Sequence, residues 1–167
     1  MKRILFAVLT NLMLTPTWAD VEINETNFPD DNFRSAIMWS AFNKDYNDVL
    51  TDQEIANATS LSVSSYSITN MKGIEFFTAL KELNCQSNLL AELDLSKNKA
   101  LTSVSCYSNQ LNIEAMDALI TSLPVVSNGK LYVSYFYTYS EGNLCTADHI
   151  TAARAKGWIT YDSDGTS

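Results

Sequence analysis

Oxygen-bearing side chains crowd one stretch of the chain, Asn43-Lys-Asp45-Tyr-Asn47-Asp48-Val49-Leu50-Thr51-Asp52-Gln53-Glu54. Asn43, Asp45 and Asn47 fall at positions 1, 3 and 5 of a twelve-residue loop. Val49 offers a backbone carbonyl at position 7, and Glu54 can give two oxygens at position 12. This is the donor spacing of an EF-hand calcium loop, which suits a hard cation that takes six to eight oxygen ligands. Thr51 could hold a bridging water. Two positions depart from the pattern. Asn43 replaces an Asp and removes a formal charge, and Asp48 stands where Gly normally makes the sharp bend, although Asp tolerates positive φ better than most residues. The same letters also spell a capping box, Thr51-Asp-Gln-Glu54, which would start a helix over 52–57 without any ion. The expectation is a structural, weakly held calcium that braces its surroundings, set against a plain helix start.

Other chemistry is sparse. Cys85, Cys106 and Cys145 cannot all pair within one chain; Cys85 and Cys106, on neighbouring rungs, read as small buried hydrophobes, with a bond between them as the alternative although a strand ladder seldom has the geometry for it. Cys145 and His149 are four apart at the start of one expected helix, which says little about a thiol–imidazole pair. No Ser/His/Asp order, zinc spacing or glycine-rich phosphate loop is present, so no catalytic residue is assigned and an enzyme is not expected.

The residues that must organise the rest are periodic. Leu80, Leu83, Cys85, Asn88 and Leu90 recur 21 residues later as Leu101, Val104, Cys106, Asn109 and Leu111. This is the leucine-rich-repeat template, with Cys in its third apolar slot. Leu83 and Cys85 alternate on a short strand and point inward, whereas Glu82, Asn84 and Gln86 point out. The Asn can bond backbone groups where the chain leaves the strand. A single unit cannot bury its apolar edge alone, so the units must stack. An irregular first copy places Leu61 and Val63, then Ile68 and Met71, 22 residues ahead of their counterparts. Repeats this short leave room for a tight turn or extended segment on the convex side, not a helix.

The chain has 167 residues, 46% hydrophobic, with a net charge of −8. Lys2 and Arg3, an apolar run over 4–14 and Thr17-Trp18-Ala19 have the order of a secretory signal peptide over 1–19, and the run is too short to span a bilayer. Its removal leaves nine basic residues against nineteen acidic, a net charge of −10. Such a surface repels phosphate backbones, so nucleic acid is not an expected partner. No later apolar run is long enough to cross a membrane. The address expected is secreted, cell-surface or periplasmic, and the state monomeric.

Four regions follow. After the leader, 20–57 forms an N-terminal helical cap: Pro29-Asp30-Asp31 opens a helix whose face carries Phe33, Ile37 and Ala41 and which ends near Phe42. The repeats occupy 58–111. Over 112–167 the solenoid continues with a helix and strand cap: Asn112 caps a helix to Ser122, a strand runs from Lys130 to about Tyr137, Thr146 caps a helix over 147–156, and Trp158 to Tyr161 form the last strand. The spacing there places Val133 opposite Cys106 and Thr160 opposite Val133. The tail over 162–167 reads as polar and frayed.

The stretches Ile23 to Arg34, Asp52 to Ile55, Leu90 to Leu101, Glu114 to Ile120 and Ala153 to Trp158 resemble small secreted leucine-rich-repeat proteins of Bacteroidetes-type bacteria, related in style to internalin repeats and carrying an EF-hand-like N-terminal cap. The resemblance covers nearly the whole chain after the leader. It implies an α/β solenoid: a short right-handed coil with parallel strands on its concave face, an N-terminal helical cap and an α/β C-terminal cap. It further implies a non-catalytic protein that binds other proteins or surfaces. This chain departs in having about three short repeats and no separate anchoring module. The outward strand positions, Glu82, Asn84, Gln86, Ser103, Ser105, Tyr107, Tyr132 and Ser134, are the expected contact surface for a protein or glycan ligand. The alternative is a calcium-stabilised carbohydrate-binding or envelope-structural module.

Overall fold

The computed structural model describes residues 20–134 and 142–162. The leader, the end of the strand expected to reach Tyr137 and nearly all of the C-terminal tail lie outside them. One strand per turn builds a five-stranded sheet: β3 (Ser60–Ser62), β4 (Glu82–Asn84), β5 (Ser103–Ser105), β6 (Gly129–Ser134) and β7 (Trp158–Asp162), in that order. Every neighbouring pair is parallel. Leu61, Leu83, Val104 and Leu131 stand in register and are buried, because alternation on a strand sends all four to the same side. The expected helices α3 (Ile113–Ser122) and α4 (Ala147–Ala155) form with Asn112 and Thr146 as N-caps.

Asparagines tie turn to turn. Asn88 is buried, and its Nδ2 donates to the carbonyls of Val63 (2.8 Å) and Cys85 (3.0 Å) while its Oδ1 accepts from the N–H groups of Tyr66 and Ile68. Asn109 repeats this one turn on, donating to Cys85 and Cys106 and accepting from the N–H of Leu90. Asn143 makes the third step, with bonds to the carbonyls of Cys106 and Val133 and from the N–H of Leu111. One amide thus satisfies backbone groups of two successive turns that would otherwise be buried and unpaired. Just before each repeat asparagine, Ser87 and Ser108 take positive φ (56° and 53°).

The first two repeats have little on the convex side: one 3-10 turn, Ile74–Phe76, in an otherwise non-helical return. The third return carries α3. The pairing at the last strand differs from the expected one. Thr160 lies opposite Leu131, not Val133. A slip of two residues keeps the same face inward, so the apolar pattern could not report it. What places the strand is Trp158, buried with its Nε1–H donating to Pro124 O at 2.8 Å.

The N-terminal cap closes the coil with aromatic rings. α1 (Asp31–Met38) ends four residues before Phe42, where the expected helix would have stopped. The chain then turns, so that Phe42 packs on Phe77 with ring centroids 5.2 Å apart. Phe28 meets Phe33, Phe76 and Phe77 at 5.8–6.3 Å. Gly73, at φ 105°, passes so close to the Phe28 ring that a Cβ would collide with it. Asp30 fastens cap to repeat. Its Oδ1 accepts the Phe33 N–H as N-cap, and its Oδ2 accepts from Thr69 N–H and Oγ1–H, both at 2.8 Å. β1 (Val21–Glu22) and β2 (Val49–Leu50) pair antiparallel, and α2 (Asp52–Asn57) leads into β3.

Candidate functional site

Six of the expected contact residues, Glu82, Asn84, Ser103, Ser105, Tyr132 and Ser134, alternate along the strands with the buried Leu83, Val104, Leu131 and Val133, and Gln86 and Tyr107 follow just past β4 and β5. Register aligns Glu82, Ser103 and Lys130 in one row across the strands, and Asn84, Ser105, Tyr132 and Tyr161 in the next. Gln86, Tyr107 and Ser134 continue beyond. Glu82 is exposed and the other seven expected residues are half-buried. Ser105 Oγ donates to Gln86 Oε1 at 3.1 Å, which holds two of these polar side chains to each other. At the C-terminal end the Tyr132 and Tyr161 rings stack, with centroids 5.1 Å apart and planes inclined by 23°. The face therefore grades from serine hydroxyls on β3, through amides and a carboxylate on β4, to a paired aromatic surface on β6 and β7. Tyr161 and the half-buried Ile159 had not been assigned to this surface. Their signal was present, since alternation with the inward Trp158 and Thr160 sends both outward.

The expected cation ligands sit together, but they are bonded to the loop itself. Glu54 Oε1 accepts the Lys44 N–H at 3.0 Å, and Oε2 accepts from Thr51 N–H (3.0 Å) and Oγ1–H (2.8 Å). Burial opposes ionisation of this carboxyl, but the bonds from Thr51 and Lys44 outweigh it and hold the group below its ordinary range. Asp45 accepts from the Asn47 side-chain amide (2.6 Å) and N–H (3.4 Å), while Asn47 Oδ1 accepts the Val49 N–H (2.8 Å). Asn43 is wholly buried and directs its nitrogen at the carbonyls of Met38 and Asn47, each 3.0 Å away, leaving its Oδ1 without a hydrogen-bond partner. Asp52 Oδ1, in the same loop, is likewise buried without a hydrogen-bond partner, whereas the side-chain oxygens of Asp45, Asn47 and Glu54 accept bonds from within the loop. Among the described residues no group of three or more His, Cys, Asp or Glu is gathered for a metal. Positive φ falls at Tyr46 (53°), not at Asp48, because Asp45 accepting the N–H two residues on places the bend between them.

Cys85 and Cys106 occupy equivalent, fully buried inward positions on neighbouring turns, between Val63 and Val133. Burial pushes the Cys85 thiol up to about 12, so it is an inert apolar group and not a nucleophile. His149 is buried and serves structure. Its Nδ1 accepts the Thr146 N–H at 2.9 Å and its Nε2 lies 3.0 Å from Asp117 Oδ1, joining α4 to α3. The Cys145 thiol reaches the Thr146 carbonyl instead, at 3.9 Å.

A groove of about 920 Å³ lies on the opposite, convex side. It is lined by Ile74 of the 3-10 turn, by Leu93 of the next return and by the small side chains Ala115 and Ala118 of α3. Three lysines, Lys72, Lys97 and Lys99, line it with four acids, Glu75, Glu92, Asp94 and Asp117, so it carries no strong excess of either charge.

No family model matches the chain. It is 43% identical over 71 residues to internalin J of Listeria monocytogenes serotype 4b, a stretch that makes up 42% of this chain and 8% of that protein. The solved functional domain of internalin J from the same species, described as including a cysteine ladder, matches 76% of this chain at 34% identity with a TM-score of 0.52. The fold is a leucine-rich-repeat solenoid. Internalin C2 of L. monocytogenes supports that fold at 18% identity and a TM-score of 0.59, with 89% of this chain and 70% of its own covered. This chain covers 27% of the solved internalin J domain, so the likeness is one of repeats and not of whole proteins.

Proposed function

We propose that this protein is a secreted, non-catalytic leucine-rich-repeat module that binds a protein partner through its concave sheet. The observation that carries the reading is the graded outward surface of β3 to β7 ending in the stacked Tyr132–Tyr161 pair. Stacked, half-buried tyrosines give a large contact area at little entropic cost, which is why Tyr is enriched in binding hot spots. The likeness of the repeats to those of internalin J supports a binding role, and the Cys85–Cys106 pair of rungs matches in kind the ladder described for that domain. None of the described helices is long and apolar enough to cross a membrane. Secretion rests on the leader, and N-terminal sequencing of the exported protein should begin at Asp20.

The binding test uses proteins retained on the mature domain from the natural surroundings of the cell. A retained protein that the Tyr132→Ala/Tyr161→Ala variant loses and a convex Lys97→Ala variant keeps supports the reading. Equal retention by both variants would contradict it. The same stack, flanked by hydroxyl and amide groups, also favours a second reading, a glycan ligand on the same face. That reading expects glycan-array signals that disappear in Tyr107→Ala and Tyr132→Ala.

A further inference from the structure

The loop from Asn43 to Glu54 has the spacing of a cation seat and the bonding of a latch. We propose that the Asn43 amide closes this loop in place of an ion, so that the N-terminal cap holds its geometry without calcium. Two carbonyl oxygens, that of Met38 at the end of α1 and that of Asn47 in the loop, converge on the Asn43 nitrogen at 3.0 Å each. A cation would draw such oxygens together by charge. The amide does so with two N–H donors and no charge. Asn43 is wholly buried while Met38 is half-buried and Asn47 exposed, so removing the amide takes from both carbonyls the donor that ties them together.

The rest of the loop is consistent with this exchange. Glu54, which at position 12 would neutralise a cation, is saturated by Lys44 N–H and by Thr51 N–H and Oγ1–H. Asp45 and Asn47 are committed to each other and to Val49. An Asp at position 43 could not do this work. It has no donor when ionised, and it would set a carboxylate oxygen against two carbonyls. The departure from the cation pattern at position 43 is therefore the residue that lets the loop dispense with the ion. This inference is independent of the concave-face reading, and it makes any partner binding insensitive to calcium.

The test is the melting temperature of the mature protein, Asn43→Asp and Asn43→Ala, each in EDTA and in millimolar calcium. The wild type should melt at the same temperature in both. Both variants should fall by about 4–8 °C in EDTA, the expected loss for two part-buried hydrogen bonds in a domain of this size. Calcium should restore most of the loss in Asn43→Asp, which regains the missing ligand charge, and none in Asn43→Ala. A calcium-dependent rise in the wild type that Glu54→Gln abolishes would overturn the proposal. So would an Asn43→Asp protein as stable in EDTA as the wild type. A destabilised Asn43→Asp that calcium leaves unmoved would show that the amide does not stand in an ion's place.

Discussion

The N-terminal cap and the repeats solve one problem, satisfying buried backbone groups, in opposite ways. In the repeats a single residue type does it periodically: Asn88 and Asn109 make the same bonds one turn apart, and Asn143 extends the series. In the cap each bond is made once, by Asp30 to the first repeat, by Asn43 within the loop, and by Glu54 across it. A solenoid end has no neighbour to copy, so its braces must be individual. Damage in the ladder should therefore propagate to the adjoining turn, whereas damage in the cap should stay local unless it releases the aromatic seal.

The sharpest way to break that contrast is Asn109→Ala. It strands the carbonyls of Cys85 and Cys106 and the N–H of Leu90, and about 3–5 kcal/mol should be lost in chemical denaturation. Asp30→Ala comes next. Loss of an N-cap and of the charged bonds to Thr69 should cost about 2–3 kcal/mol, with hydrogen exchange rising first in α1.

Acid should reach the cap before the ladder, because the ladder amides do not titrate. The Asp30 carboxyl, like that of Glu54, sits below its ordinary value: burial opposes ionisation, but the bonds from Phe33, Thr69 and Asn70 prevail. A folded-state value lower than the unfolded one stabilises the fold above the ordinary carboxylate range, and that contribution is lost as pH falls through the folded value. The melting temperature should therefore hold from neutral pH down to that range and drop below it, and Asp30→Asn should flatten the drop. At the other extreme, Ser87→Gly relieves positive φ at an exposed turn and should raise stability by up to about 1 kcal/mol.

Much of this was legible beforehand because it is periodic or local. The 21-residue recurrence of Leu83, Cys85 and Asn88 announced the parallel sheet, and Asn112, Thr51 and Thr146 announced their helices. What the letters hid was tertiary. Asn143 carries the ladder, yet no apolar pattern surrounds it to mark the role. Asp30 reads as an ordinary helix start until Thr69 is brought beside it. The cation spacing of 43–54 was plain, but spacing cannot say whether Asn43 turns its oxygen or its nitrogen inward. Alternation sent Glu82, Asn84, Ser103, Ser105, Tyr132 and Ser134 away from the core, while the Tyr132–Tyr161 stack depended on a strand pairing two residues away from the one the spacing suggested.

In the proposed division of labour, stability resides in the asparagine ladder and recognition in the tyrosine face. The most direct test measures melting temperature and partner retention together on Tyr132→Ala/Tyr161→Ala. Retention should be lost in a variant that still unfolds cooperatively, with stability falling by about 2–4 kcal/mol for the stacked pair and its half-buried ring area together. Retention that survives in a protein shown to be folded would contradict it.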